Sequence, residues 1–375
     1  MGDNKNILLI LLVLSFLLSL LTIFVVAEGG IPTVSARSSV LYEPVSGTFV
    51  LEKDADTRLP MASTTKIMTA LIAIERLDLD QTVRIPKEAT GIEGSSVYLK
   101  ENDEITVRDL IYSVLLQSAN DAATALAILT SGDIKSFADE MNARAGEIGL
   151  TNTNFENPHG LDSENHFTTA RDLAILAAVA LKNDTFKEIC STHKYSFNIS
   201  GLTRTVVNHN KMLKRYDGAT GVKTGYTDKS GRCLVSAAER DGITMIAVTL
   251  NAPNDWDDHA RLLDFGFDGY EAIELSAITA TEYKIPVMGG KLDVVTVSIS
   301  DINRAIPKKK GSTNLHTKTD IPSSLTAPIT AGDTVGKITV YDGDKPLISY
   351  SLTAIESIEE EKYKVNIYDF LKDIF

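Results

Sequence analysis

The 375-residue chain is 43% hydrophobic and 23% charged. This is an ordinary globular composition that suggests two domains and excludes wholesale disorder. A formal net charge of −13 leaves no basic stripe for phosphates and so excludes a nucleic-acid partner; the one compact basic run, Lys308-Lys309-Lys310, reads as a solvated turn.

The chain opens on an uncharged apolar run from Ile7 to Ala27, long enough for a signal-peptide core or a membrane-spanning anchor. Small-residue cleavage sites follow at Val25-Val26-Ala27 and Val34-Ser35-Ala36. Cleavage is the favoured reading, with residues 1–36 as the signal peptide or anchor, and by either route the rest of the chain is exported. From Ser39, two apolar runs flank Pro44-Val45-Ser46-Gly47 and predict a hairpin. Pro60-Met61-Ala62-Ser63 then opens a helix with Ile67, Leu71, Ile74 and Leu77 at helical spacing. Further helices are predicted over Val107–Gln117 and Asp121–Thr130, separated at Ser118-Ala119-Asn120, and in FADEMNARAGEIGL. The pattern breaks at Asn157-Pro158-His159-Gly160 and resumes in TTARDLAILAAVAL.

After about Thr220 the pattern turns to strands, with turn signals at Asp228-Lys229-Ser230-Gly231 and Asp241-Gly242. A helix, DDHARLLDFGFDGYE, would pack on their sheet. This order predicts an α/β sandwich whose N- and C-terminal strands share one antiparallel sheet flanked by helices, with a helical subdomain, over residues 37–275. Residues 276–356 read as a small all-β domain. Over 357–375, Ile367, Phe370, Leu371, Ile374 and Phe375 share one helical face, as in an interfacial membrane helix or a helix docked on its own protein. Cys190 and Cys233 carry no informative spacing and read as free, buried thiols. The six histidines form no metal-binding pattern, so neither metal nor cofactor is expected.

Ser63 and Lys66 stand three apart at a helix start, which puts them on one face. A serine hydroxyl is a weak nucleophile until a base takes its proton. An amine among Ile67, Met68 and Ala70 could have its pKa lowered enough to serve. The spelling alone is weak, because Ser191-Thr192-His193-Lys194 has it too; taken alone, Ser63 and Lys66 read rather as a cap-like serine and a solvated lysine. Ser118-Ala119-Asn120 reads either as helix capping or as polar groups projecting from a short loop. Lys223-Thr224-Gly225, at the start of a predicted strand, reads either as edge protection or as a carboxylate holder with a glycine permitting close backbone approach.

In chain order these three motifs match the signature of penicillin-binding proteins and class A β-lactamases. LPMASTTKIMTALIAIE, SANDAATALA, NPHGLDSENHFTTARDLA and GVKTGYTDKSGRCLVSAAERDG resemble the low-molecular-mass D-alanyl-D-alanine carboxypeptidases, over roughly Ser35 to Tyr270 with a β module after it. The resemblance implies a β-lactamase/transpeptidase-like fold and a serine peptidase acting on peptidoglycan stem peptides that end in D-Ala-D-Ala, with β-lactams as covalent inhibitors. It implies Ser63 as acylated nucleophile, Lys66 as proton acceptor, Ser118 as proton relay and Asn120 as a substrate-orienting group. Lys223 would supply positive potential, Thr224 would bind the terminal carboxylate beside Gly225, and the backbone N–H groups of Ser63 and Tyr226 would form the oxyanion hole. The region 157–162 lacks the E-x-x-L-N pattern by which class A β-lactamases activate water, which implies a slowly deacylating target. Asp162 and His166 are candidates for shaping that loop. A D,D-endopeptidase or a silent β-lactam or muropeptide receptor are the rival readings, and the exported protein would work at the outer face of the cytoplasmic membrane.

Overall fold

The computed structural model describes residues 30–299 and 306–361. The apolar run 7–27 and residues 362–375 of the amphipathic segment lie outside the described residues. Strands β1 (Ser38–Glu43) and β2 (Thr48–Lys53) form the expected first hairpin. A 3-10 turn over Ala62–Thr65 leads into α1 (Lys66–Arg76). A ribbon of β3 (Thr82–Arg84) and β4 (Glu104–Thr106) precedes α2 (Val107–Leu116), α3 (Asn120–Ser131) and α4 (Ile134–Glu147). Then come α5 (Ala170–Leu181), α6 (Asp184–Ser191), the hairpin β5 (Lys194–Ile199) and β6 (Leu202–Val207), and the single turn α7 (Met212–Arg215).

The local chemistry sets these boundaries. Thr106, Asp133, Thr169 and Asn183 each accept a backbone N–H two or three residues into the helix that follows. Gly132, at φ +86°, closes α3.

Strands β7 (Ala219–Thr227), β8 (Gly231–Arg240) and β9 (Ile243–Leu250) complete the main sheet, and α8 (Asp255–Gly269) follows. The sheet order is β2-β1-β9-β8-β7, antiparallel throughout, so β1 pairs with β9 as the sequence pattern predicts. Asp241 and Gly242 both have positive φ (49° and 78°) in the β8–β9 turn, the geometry of the favoured two-residue hairpin. Alternation decides the two faces. Val40, Ile246 and Val248 face the helical core, whereas Leu41, Met245 and Ala247 pack with Leu262 and Leu263 of α8. Cys190 and Cys233 are free and buried.

Beyond α8 lie β10 (Tyr270–Ile273), β11 (Glu282–Met288), β12 (Val294–Ile299), β13 (Ile306–Lys309), β14 (Leu315–Asp320), β15 (Leu325–Thr326), β16 (Thr334–Asp342) and β17 (Lys345–Ala354). All but β10 and β13 form one sheet over a separate core that includes Val295, Val297, Ile338, Val340 and Leu352. Lys308 and Lys309 belong to β13 rather than to a solvated turn, and Lys308 pairs with Glu271 at 3.0 Å.

Phe186 of α6 is fully buried in the helical core. Replacing it with alanine should cost about 3–5 kcal/mol, read as a lower urea midpoint; a loss below about 1 kcal/mol would place α6 outside the cooperative core.

Candidate active site

Ser63 lies in the 3-10 turn ahead of α1, so the helix itself starts at Lys66, later than the apolar spacing suggests. The preceding Ala62 has φ +46°, a conformation uncommon for a residue with a Cβ and often stored at functional sites. Strand β7 runs directly against this turn. A Cβ on Gly225 would lie 3.0 Å from Ser63 N and 3.1 Å from Met61 O, so only glycine lets the strand approach so closely.

Lys66 is fully buried, which excludes the solvated-charge reading. Its Nζ lies 2.9 Å from Ser63 Oγ, 2.7 Å from Asn120 Oδ1 and 2.5 Å from His159 O. Asn120 Nδ2 donates to Glu93 O at 2.5 Å, which fixes the amide with its oxygen toward the lysine. Burial pushes the Lys66 pKa well below that of an ordinary lysine, and the charge of Lys223 pushes it the same way, against a smaller upward pull from Asp121. A neutral amine has two N–H bonds and one lone pair. The carbonyl oxygens of Asn120 and His159 can only accept, so in the neutral form they would take both N–H bonds and leave the lone pair for Ser63 Oγ.

Ser118 follows the end of α2 with φ +61°, and α3 has no side-chain cap, so neither Ser118 nor Asn120 is spent on capping. Ser118 Oγ accepts from Lys223 Nζ at 3.0 Å. Lys223 sits mid-strand in β7 and is buried rather than shielding an edge; burial lowers its pKa to about 7. Thr224 and Gly225 line a cleft of about 450 Å³ together with Ser63, Ser118 and Tyr226. The Tyr226 ring is exposed and its hydroxyl donates to Asp228, which leaves the backbone as its contribution to the cleft.

All eight residues singled out in the sequence therefore gather around one cleft or its buried floor. The competing copy does not: Ser191 ends α6 and its hydroxyl donates to Glu188 O. Several contributors carried no sequence signal. His159 acts through its carbonyl, which no side-chain motif can announce. Buried Asp121 accepts from Val97 N, Leu99 N and Ser96 Oγ and so anchors the segment whose Glu93 and Ser95 carbonyls hold Asn120. Arg232 pairs with Asp255 and lies over the Trp256 ring at the far end of the cleft.

A three-layer fold with a buried lysine on a turn-borne serine defines the class of active-site serine hydrolases that take the serine proton with an amine. A family model described as D-alanyl-D-alanine carboxypeptidase matches residues 26–254, and one described as penicillin-binding protein 5, C-terminal domain, matches residues 270–360. D-alanyl-D-alanine carboxypeptidase DacF of Bacillus subtilis is 32% identical over 347 residues, which cover 90% of this chain and 88% of the relative. DacC of Escherichia coli is 33% identical over 356 residues, 91% and 88% of the two chains. Among solved structures, penicillin binding protein 5 from Haemophilus influenzae is similar with a TM-score of 0.71 at 28% identity, over 88% of this chain and 99% of that one. A Streptomyces DD-transpeptidase gives 0.61 at 35% identity, over 64% and 99%. The chain belongs to the D-alanyl-D-alanine carboxypeptidase family.

The depressed Lys66 pKa has a consequence for stability. Between its lowered folded pKa and about 10.4, the unfolded value, the unfolded chain binds a proton that the folded state does not, so stability rises with pH across that window. Lys66→Met should abolish acylation of Ser63 and lack this contribution, so the wild-type midpoint should rise relative to that of Lys66→Met as pH increases toward 10. A difference in midpoint that stays constant with pH would refute this.

Proposed function

We propose that the chain is a serine-type D-Ala-D-Ala carboxypeptidase that removes the terminal D-alanine of peptidoglycan stem pentapeptides through an acyl-enzyme on Ser63. The observation that carries the reading is the fully buried amine of Lys66, with its Nζ 2.9 Å from Ser63 Oγ. Ser63 Oγ attacks the carbonyl carbon of the penultimate D-alanine as its proton passes to Lys66 Nζ. The developing oxyanion is met by the backbone N–H groups of Ser63 and Tyr226, which the close approach of β7 brings together; one such donor is worth about 3 kcal/mol. Asn120 holds the substrate amide, and Thr224 takes the terminal carboxylate in the positive potential of Lys223. The proton then reaches the leaving nitrogen through Ser118, whose oxygen already accepts from Lys223. The C–N bond breaks, free D-alanine departs, and water hydrolyses the ester to restore Ser63.

A β-lactam presents its strained amide to the same serine and leaves an ester in place of a departing amine. No carboxylate in the 157–162 loop is aimed at Ser63; Asp162 accepts instead from Thr227 Oγ1 at 3.0 Å. This supports slow deacylation, and hence inhibition by β-lactams rather than their destruction. A peptidoglycan substrate supports work outside the cytoplasm, and the proposal extends to the outer face of the membrane with the 7–27 run as export segment or anchor. Among the described residues no helix is long and apolar enough to cross a membrane.

Incubation with a pentapeptide ending in D-Ala-D-Ala should release one equivalent of D-alanine per peptide with wild type and none with Ser63→Ala. Intact mass after penicillin treatment should show one adduct, mapped to the peptide bearing Ser63. An adduct at Ser191, or penicillin binding without any D-alanine release, would overturn the assignment.

A further inference from the structure

His166 stands outside the steps above, yet its hydrogen bonds lead into the nucleophile turn. It immediately precedes two short backbone bridges, Asn154 to Phe167 and Leu59 to Thr168, and is buried. Its Nδ1 accepts from the backbone N–H of Glu156 at 3.0 Å. Its Nε2 lies 2.7 Å from Thr65 Oγ1, and that hydroxyl donates its one proton to Ala62 O at 2.8 Å. The direction of every bond is thereby fixed. Since Nδ1 is an acceptor and the Thr65 proton is already committed, Nε2 carries the hydrogen and donates to Thr65.

The chain of bonds ends on the carbonyl of Ala62, the residue whose left-handed backbone aims Ser63 N at β7. The same carbonyl is crowded by Gly160, where a Cβ would come within 1.9 Å of it. The loop that starts at Glu156 supplies the His159 carbonyl to Lys66 and, more distantly, to Ser63 Oγ. The Glu156 carboxylate closes this loop by accepting from Ser163 Oγ and Asn165 N.

We infer that His166 is a positioning residue for acylation: its neutral ring holds Glu156 on one side and, through Thr65, the Ala62–Ser63 turn on the other, so that nucleophile, oxyanion donor and lysine partner keep one geometry. This deepens the proposed function and rests on it. Glu156, Lys66 and His159 are the titratable groups around the ring; burial is the largest influence on it and, against an upward pull from the Glu156 carboxylate, lowers its pKa to about 4, so the imidazole is neutral.

The test uses Gln, which reproduces both bonds with one acceptor and one donor but does not titrate, and Leu, which makes neither. Penicillin acylation separates non-covalent binding from the acylation rate constant. His166→Leu should lose roughly 30- to 100-fold in the rate constant, the scale of a small misplacement at a reacting centre, while binding changes less than about threefold. His166→Gln should stay within about threefold of wild type. Thr65→Val should repeat the His166→Leu loss, Thr65→Ser should not, and the double variant His166→Leu/Thr65→Val should lose no more than either single one. If His166→Leu fails to fold, the Thr65 pair decides. Wild-type rates in His166→Leu or Thr65→Val, or additive losses in the double variant, overturn the inference alone. A wild type that is not acylated at Ser63 overturns both it and the proposed function.

Discussion

Two amines buried on either side of one cleft are the constraint around which this active centre is organised. Removing an ammonium from water is costly unless the group neutralises, and burial and the neighbouring Lys223 both push the Lys66 pKa down, toward the neutral amine. Even uncharged, the amine needs partners for two N–H bonds. The fold recruits them from remote parts of the chain: an amide at the start of α3 and a carbonyl in the 157–160 break. Those partners need holding in turn, by the Glu93–Leu99 segment bound to Asp121 and by the loop closed on Glu156. A buried amine thus dictates much of the polar structure around it.

Two of the eight non-glycine residues with positive φ among the described residues stand at the same place. Ala62 and Ser118 both take positive φ without being glycine, and each such residue costs about 1–3 kcal/mol. One sits beside the nucleophile and the other is the middle serine itself. The surrounding core offsets this: the sheet is packed on both faces, and the cluster beneath α1 to α6 is continuous. Rigidity there lets a 3-10 turn, rather than a regular helix, present Ser63 to β7.

Much of this was legible in the sequence because side-chain motifs and periodicity are local signals. The alternation of β8 and β9, the Asp241-Gly242 turn and the apolar faces of the helices placed the sheet and its covering layers. The order Ser63–Lys66, Ser118–Asn120, Lys223–Gly225 located the cleft, since three weak spellings in the right succession are far more specific than any one. The start of α1 was misplaced because apolar spacing persists through the 3-10 turn, where Ala62 departs from helical φ. Lys223 was set at the start of its strand, although β7 extends four residues further back. The short ribbons β3–β4 and β5–β6 carry too few residues for a periodic signal. The His159 carbonyl was invisible because backbone groups have no spelling, and the link from His166 to Thr65 exists only once residues a hundred positions apart are folded together.

The two cysteines show what the dense core means for thiol chemistry. Cys190 lies under Gly221, where even a Cβ would approach its sulfur to 2.7 Å, and Cys233 lies behind Pro60. Burial raises their pKa values to about 12 and about 11, so neither offers the thiolate that oxidants and disulfide exchange require. An exported chain with two thiols ordinarily risks a wrong cross-link. Here both are buried in the folded chain, out of the solvent in which that chemistry takes place.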